Sequence, residues 1–432
     1  LSDWGMDFQG SLGWHNDTTL VFQANSSLND LQTAWKQSSV FTMDVNSKEV
    51  KKISPDKGVY TSPKSSGDGK IVFLGHPTTE YSSVAFDVYL HDGRTKKLTA
   101  NLSATPREMF WLNSNEVTFS IDDRGAAKAM KLNTRTLAME ELIPNFDEQF
   151  YLSSVHKGEL YGTYANALRP SEVAVLNGSG VEKLSHINEV VLSQYQLGET
   201  VEINYKAPDG MDVQGWYILP PDFDNSKKYP LILIIHGGPH SMYRNQFNYL
   251  WHQFASDGYV VLYTNPRGST GYGREFWEIS FKQWGKSMQD DITDGVNWLI
   301  SEGIADPKRI AIYGASYGGY ATLAGLAFTP DLYACGVDYV GVSNIFTLLE
   351  TLPPYWELGR QMMYEMIGNP ETEKDILDYG RKKEGIASRD KNLPEANTHR
   401  DSKLYGQYKM LQDPNPPKKP LQIKKDILMK KV

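Results

Sequence analysis

Four stretches in the first 180 residues follow one pattern, a short hydrophobic strand running into a polar turn: Val40-Phe-Thr-Met-Asp-Val-Asn, Val88-Tyr-Leu-His-Asp-Gly, Ala129-Met-Lys-Leu-Asn-Thr and Val173-Ala-Val-Leu-Asn-Gly. Their turn residues Asp44, Asp92, Asn133 and Asn177 are 48, 41 and 44 positions apart. A second set, Leu20-Val21-Phe22, Ile71-Val72-Phe73, Val117-Thr118-Phe119 and Leu160-Tyr161, keeps similar spacing. A period of about 40 to 50 residues with several strands per unit is the mark of a β-propeller blade. About four blades fit before residue 190; they form either a small propeller or the remainder of a larger one, with a β-sandwich or β-solenoid as the alternative.

From about residue 195 the pattern changes. Val201-Glu-Ile-Asn-Tyr and Gln214-Gly-Trp-Tyr-Ile-Leu flank Asp209-Gly210, a hairpin signal. Strands then alternate with helices: Leu231 to Ile235, a helix near Phe247 to Ser256, Val260 to Tyr263, a helix over Asp290 to Ser301, a strand over Ile310 to Tyr313 with Asp306-Pro307 opening the turn before it, a helix over Tyr320 to Phe328, and Gly336 to Val340. Such alternation predicts right-handed crossovers and a parallel-rich sheet with helices on both faces, whose ligands bind at the carboxyl ends of the strands. The expected organisation is a partial propeller over 1–194, an incomplete α/β-hydrolase domain over 195–380 and a basic tail over 381–432.

The tail carries 14 Lys and Arg against 6 Asp and Glu, whereas the preceding 380 residues carry 30 against 46. Nucleic acid would call for cations interleaved with aromatics, and Pro414, Pro416, Pro417 and Pro420 stand there instead, so a solvated segment with no nucleic-acid partner is expected. No apolar run approaches 18 residues, which argues against a helical membrane span. Cys335 is the one cysteine, so no intrachain disulfide and no thiolate metal cluster can form, and no cofactor is called for. With no visible signal peptide, the expected location is cytoplasmic. Association into a homo-oligomer is left open.

The chemistry concentrates in Gly314-Ala-Ser316-Tyr-Gly318, which follows the apolar residues 310–313. A serine on a tight strand-to-helix elbow has its hydroxyl raised above the sheet, and small residues are needed around it because side chains would collide with strand and helix. Ser316 is thus the candidate nucleophile, the plain alternative being a serine in a Gly-rich turn. His236-Gly-Gly-Pro239, directly after the first parallel strand, can aim backbone N–H groups at a carbonyl oxygen, with the Tyr317 amide as second donor.

Together with Asn265-Pro-Arg-Gly-Ser-Thr-Gly-Tyr-Gly273, Trp284-Gly285, Asp290-Asp291 and Gly341-Val-Ser-Asn344, in this order after a propeller, these motifs resemble the prolyl oligopeptidase family of serine peptidases. The acylaminoacyl-peptidase-like branch is the best fit, since His236 stands where other branches carry an oxyanion-hole tyrosine. The resemblance, over roughly residues 1–380, implies hydrolysis of short peptides with Ser316 as nucleophile, Gly238 and Tyr317 as oxyanion donors, and a propeller that restricts entry to small or unstructured substrates. For Arg267 two roles stand level, a contact to substrate or a brace for its own loop.

After Gly380 the family pattern, two further strands bearing the catalytic Asp and His, is not found. His399 is the one histidine downstream of Ser316 and hence the candidate base; Asp390, Asp401, Asp413 and Asp426 are the candidate acids. The order Ser316, Asp390, His399 is the family's, but nine residues cannot hold the elements that separate the last two. His236, His240 and His252 read as loop or helix residues. The chain is therefore expected to be incomplete at both ends, its final segment replaced by unrelated sequence. A carboxylesterase on the same fold, or a catalytically dead remnant that only binds peptides or partners, are the competing readings.

Overall fold

The computed structural model describes residues 7–25, 37–78, 85–100, 102–143, 148–353 and 356–377. The segment 381–432, with His399 and the four candidate acids, lies outside the described residues.

The first half of the chain forms four four-stranded antiparallel sheets in succession. They run from Asp7–Trp14 to Val50–Lys52, Gly58–Ser65 to Thr95–Lys97, Arg107–Asn113 to Met139–Glu141 and Glu148–His156 to Gly180–Lys183. The repeating turn lies between the third and fourth strand of each, and its chemistry accounts for the recurrence. The carboxylate of Asp44 accepts the amides of Asn46 and Ser47, the Asn133 side chain those of Arg135 and Thr136, and the Asn177 side chain that of Ser179. A short Asp or Asn side chain that caps its own turn makes the chain reverse at that point. The second hydrophobic set forms the second strands, whose Val21, Val72, Val117 and Leu160 are buried between the sheets.

The second half is an α/β-hydrolase fold. Its six strands are β1 (Thr200–Lys206), β2 (Asp212–Ile218), β3 (Tyr229–Ile235), β4 (Val260–Asn265), β5 (Ala305–Ala315) and β6 (Cys335–Tyr339), in spatial order β1-β2-β4-β3-β5-β6. The expected hairpin is present, with Gly210 at φ 88° in the turn, and β2 joins β4 antiparallel; the β4, β3, β5 and β6 neighbours are parallel. Alternate residues of β3 explain the layers. Leu231, Leu233 and Ile235 point to one face, with Ile292 and Val296 of helix α2 (Ser287–Ser301) and Ala321 of α3 (Tyr317–Phe328). Ile232 and Ile234 point to the other, with Trp251 and Ala255 of α1 (Tyr249–Ser256). Each such buried aliphatic side chain contributes about 1.5–3 kcal/mol.

Several boundaries differ from expectation, as where helix α2 starts at Ser287 rather than Asp290, and two of the differences bear on the elbow. β5 runs through Asp306-Pro307 instead of starting after it, because Ala305 already pairs with Tyr229 and an irregularity absorbs residues 306–309 before Ile310 pairs with Leu231. Helix α3 begins at Tyr317 rather than Tyr320, since Ser316 itself is its N-cap.

The sheets of the first half are joined to the second half by main-chain hydrogen bonds. Arg124 donates to the Gly271 carbonyl, Asn245 to Gly125, Phe247 to Asn166 and Gly273 to Ser103. Buried Asp122 binds Arg244 at 2.7 Å and Arg107 at 2.6 Å. Among the described residues no helix is long and apolar enough to cross a membrane.

Candidate active site

Ile235 of β3 pairs with Gly314 of β5, so the loops leaving the carboxyl ends of these strands emerge side by side. That register brings His236-Gly-Gly-Pro239 next to Ser316 although 80 residues separate them. Ser316 is exposed, with φ 57° and ψ −119°, a conformation L residues avoid and adopt only where the surroundings impose it. Its amide donates to the Tyr339 carbonyl at the end of β6, and its carbonyl accepts from Tyr320 in the first turn of α3.

Glycines make the close approach possible. A Cβ on Gly318 would overlap the Ile235 carbonyl, and one on Gly314 would overlap the Gly318 carbonyl. A Cβ on Gly237 would sit 3.2 Å from the Ala315 oxygen and 3.9 Å from Ser316 Oγ, so the Gly237 backbone lies directly against the serine. Gly238, at φ 120°, is exposed in the same cleft, and the Tyr317 amide is the first of helix α3, where no intrahelical acceptor exists. Below, Tyr317 is buried, with its ring 4.8 Å from that of Trp284 and its hydroxyl against Met288 Sδ.

Of the two roles left level for Arg267, its surroundings favour the brace over a contact to substrate. It is 3 % exposed, and four of its five N–H donors are taken. Nε and Nη2 bind the two oxygens of Asp291 at 2.8 and 2.6 Å, while Nη1 and a second Nη2 proton bind Asp209 at 2.7 and 3.0 Å. The Arg267 amide also donates to Asp291, 2.8 Å away. These bonds hold Asp209 below the usual carboxylate range. Burial pushes Asp291 upward, against the pull of the same guanidinium. The arginine braces the 265–273 loop onto α2.

Three upstream histidines occupy structural positions. His236, buried, has Nδ1 2.8 Å from the Gly237 carbonyl and Nε2 3.1 Å from Ser269 Oγ. His240 binds the Gly268 carbonyl through Nδ1 at 2.8 Å, and His252 the Ala167 carbonyl through Nε2 at 2.9 Å. Burial lowers His236 and His240 to about 4, so both are neutral at neutral pH. Among the described residues no hydrogen-bond partner is found for Ser316 Oγ, and no group of three or more His, Cys, Asp or Glu side chains could hold a metal ion. Sequence reasoning passed over Ser269 and Asp209, whose partners lie 33 and 58 residues away and leave no local pattern.

Residues 245–379 match the prolyl oligopeptidase family. The chain is 46% identical over 146 residues to dipeptidyl aminopeptidase BIII of Pseudoxanthomonas mexicana, covering 33% of this chain and 21% of that protein. It is 29% identical over 321 residues to dipeptidyl-peptidase 5 of Schizosaccharomyces pombe, covering 71% of this chain and 46% of the relative. Among solved structures, the Pyrococcus horikoshii acylaminoacyl peptidase superposes with a TM-score of 0.74 at 25% identity, over 87% of this chain and 58% of the other. The chain thus spans less than half the length of these two curated relatives.

Proposed function

We propose that this chain, whose residues 245–379 match the prolyl oligopeptidase family, is a serine peptidase of the dipeptidyl or acylaminoacyl type acting on short peptides. The observation that carries the reading is the strained, exposed Ser316 with the Gly237 backbone against it.

Ser316 Oγ adds to the scissile carbonyl while its proton passes to a histidine, and the oxyanion takes hydrogen bonds from the Gly238 and Tyr317 amides. Collapse expels the amine, which leaves with that proton, and water then cleaves the acyl-enzyme and restores the serine. His399, the histidine that follows Ser316 in the chain, is the base in this reading. In this reading the blades, hydrogen-bonded to the loops at 245–247 and 271–273, restrict entry to short rather than folded substrates. An esterase uses the same elbow, and comparison of nitrophenyl-ester with peptidyl-anilide turnover separates the two.

One observation favours a second reading, a slow or inert peptide-binding remnant: His236 and His240 are both committed to backbone carbonyls and cannot stand in as base. Fluorophosphonate labelling tests the proposal. Wild-type chain should be labelled and hydrolyse a dipeptidyl or acylaminoacyl anilide, Ser316→Ala should do neither, and His399→Ala should lose most of its turnover. A wild-type chain that neither labels nor turns over refutes the peptidase reading.

A further inference from the structure

The loop that follows β3 contains a hydrogen bond whose consequence reaches the reacting atoms. A backbone carbonyl can only accept, so the 2.8 Å contact between His236 Nδ1 and the Gly237 oxygen requires the proton on Nδ1. The other nitrogen, Nε2, then presents a lone pair and needs a donor. Ser269 Oγ, 3.1 Å away, supplies one by turning its hydroxyl from the Pro266 carbonyl toward the ring. The ring cannot swing elsewhere, because it is 6 % exposed and packed edge-on against Tyr243 at 5.0 Å. Ser269 is itself fixed, since it lies in the loop that Arg267 ties to Asp291 and its amide donates to Pro266.

We infer that His236 is a positioning residue for the oxyanion donor: by holding the Gly237 carbonyl it fixes the orientation of the Gly237–Gly238 peptide and keeps the Gly238 amide turned into the cleft beside Ser316. The reason is peptide geometry. In a trans peptide the C=O and N–H point in opposite directions, so pinning one aims the other. Gly238, at φ 120° and exposed, has no side chain to hold that orientation, and among the described residues no acceptor takes its N–H. Without the anchor the peptide is free to flip and withdraw the donor. Burial of the imidazole, with no carboxylate acting on it among the described residues, keeps the ring neutral in this role. The inference rests on the peptidase reading above for its effect on catalysis, but the hydrogen bond is testable by itself.

Two measurements on the full chain decide it. In the first, nitrogen-15 NMR of histidine-labelled protein at pH 7, with the His236 signals assigned by their loss in His236→Asn, should find the proton on Nδ1; a bare Nδ1 with the proton on Nε2 overturns the inference. In the second, the rate of fluorophosphonate labelling at Ser316 is compared across variants. His236→Phe keeps the ring volume and removes the donor, and should label about 10-fold to 100-fold more slowly, up to the loss expected for a missing oxyanion donor. His236→Asn, whose amide can reach the position of Nδ1, should recover most of the rate. Equal rates for wild type and His236→Phe, or equally slow rates for Phe and Asn at matched thermal stability, refute the positioning role. Should wild-type chain fail to label, the peptidase reading falls, and the Nδ1 proton alone decides the inference.

Discussion

Replacing Arg267 by leucine strips a fully buried carboxylate of its counter-charge. Asp291 has a side-chain exposure of 0%, and both its oxygens bind the guanidinium. Removing one member of a buried pair costs about 3–5 kcal/mol, because the remaining charge is left without solvent or counter-charge and keeps only the backbone amide of residue 267. The bond to Asp209 adds little, since that side chain is 51% exposed and such pairs contribute at most about 1 kcal/mol. A loss near ~4 kcal/mol corresponds to about 8–16 °C in a unit of this size. Calorimetry or tryptophan fluorescence of Arg267→Leu should show that fall in the transition of the α/β half. The double variant Arg267→Leu/Asp291→Leu should recover most of it, because two apolar side chains of similar volume leave no buried charge. A single variant melting within 2 °C of wild type, or a double variant no better than the single, refutes the argument; a raised KM with unchanged melting would return Arg267 to the substrate.

Three further outcomes follow from the same geometry. His236 and His240 hold folded pKa values of about 4 against 6.5 in the unfolded chain, so their contribution to stability is complete above pH 6.5 and is lost as pH falls toward 4. At about 1.4 kcal/mol per unit each is worth ~3 kcal/mol. Melting temperature measured from pH 7 to 4.5 should therefore drop, and His240→Phe should show a smaller drop; a flat profile contradicts the burial argument. Ser316→Gly should stabilise the fold by ~1 kcal/mol while abolishing labelling, because φ 57° with ψ −119° costs a serine strain that glycine does not feel; unchanged or lowered stability in urea titration would show that the elbow is unstrained. Gly318→Ala should cost ~2–3 kcal/mol and slow labelling, since the new methyl meets the Ile235 carbonyl; wild-type stability would mean that strand and helix can part.

What could be read from the sequence was what is encoded locally. The blades announced themselves because Asp44, Asn133 and Asn177 each cap their own turn, a signal contained in four residues. The elbow was legible because Gly314 and Gly318 flank Ser316 in the chain as well as in space. Long-range pairings were not. The brace of Arg267 depends on partners 24 and 58 residues away, and the joint between Asp122 and Arg244 spans 122. The start of β5 was missed because Asp306-Pro307 reads as a turn, whereas pairing of Ala305 with Tyr229 carries the strand past it.

The four main-chain bonds between the blades and the second half all end on segments adjoining the reactive serine's neighbours: Asn245 and Phe247 continue the chain from His236-Gly-Gly-Pro, and Gly271 and Gly273 continue the loop that holds Ser269. Lifting the blades to admit a larger molecule would therefore slacken the loops that hold the oxyanion donor. On the peptidase reading proposed above, a chain assembled this way would disarm itself by opening, and a folded protein prising the two halves apart would meet a blunted blade.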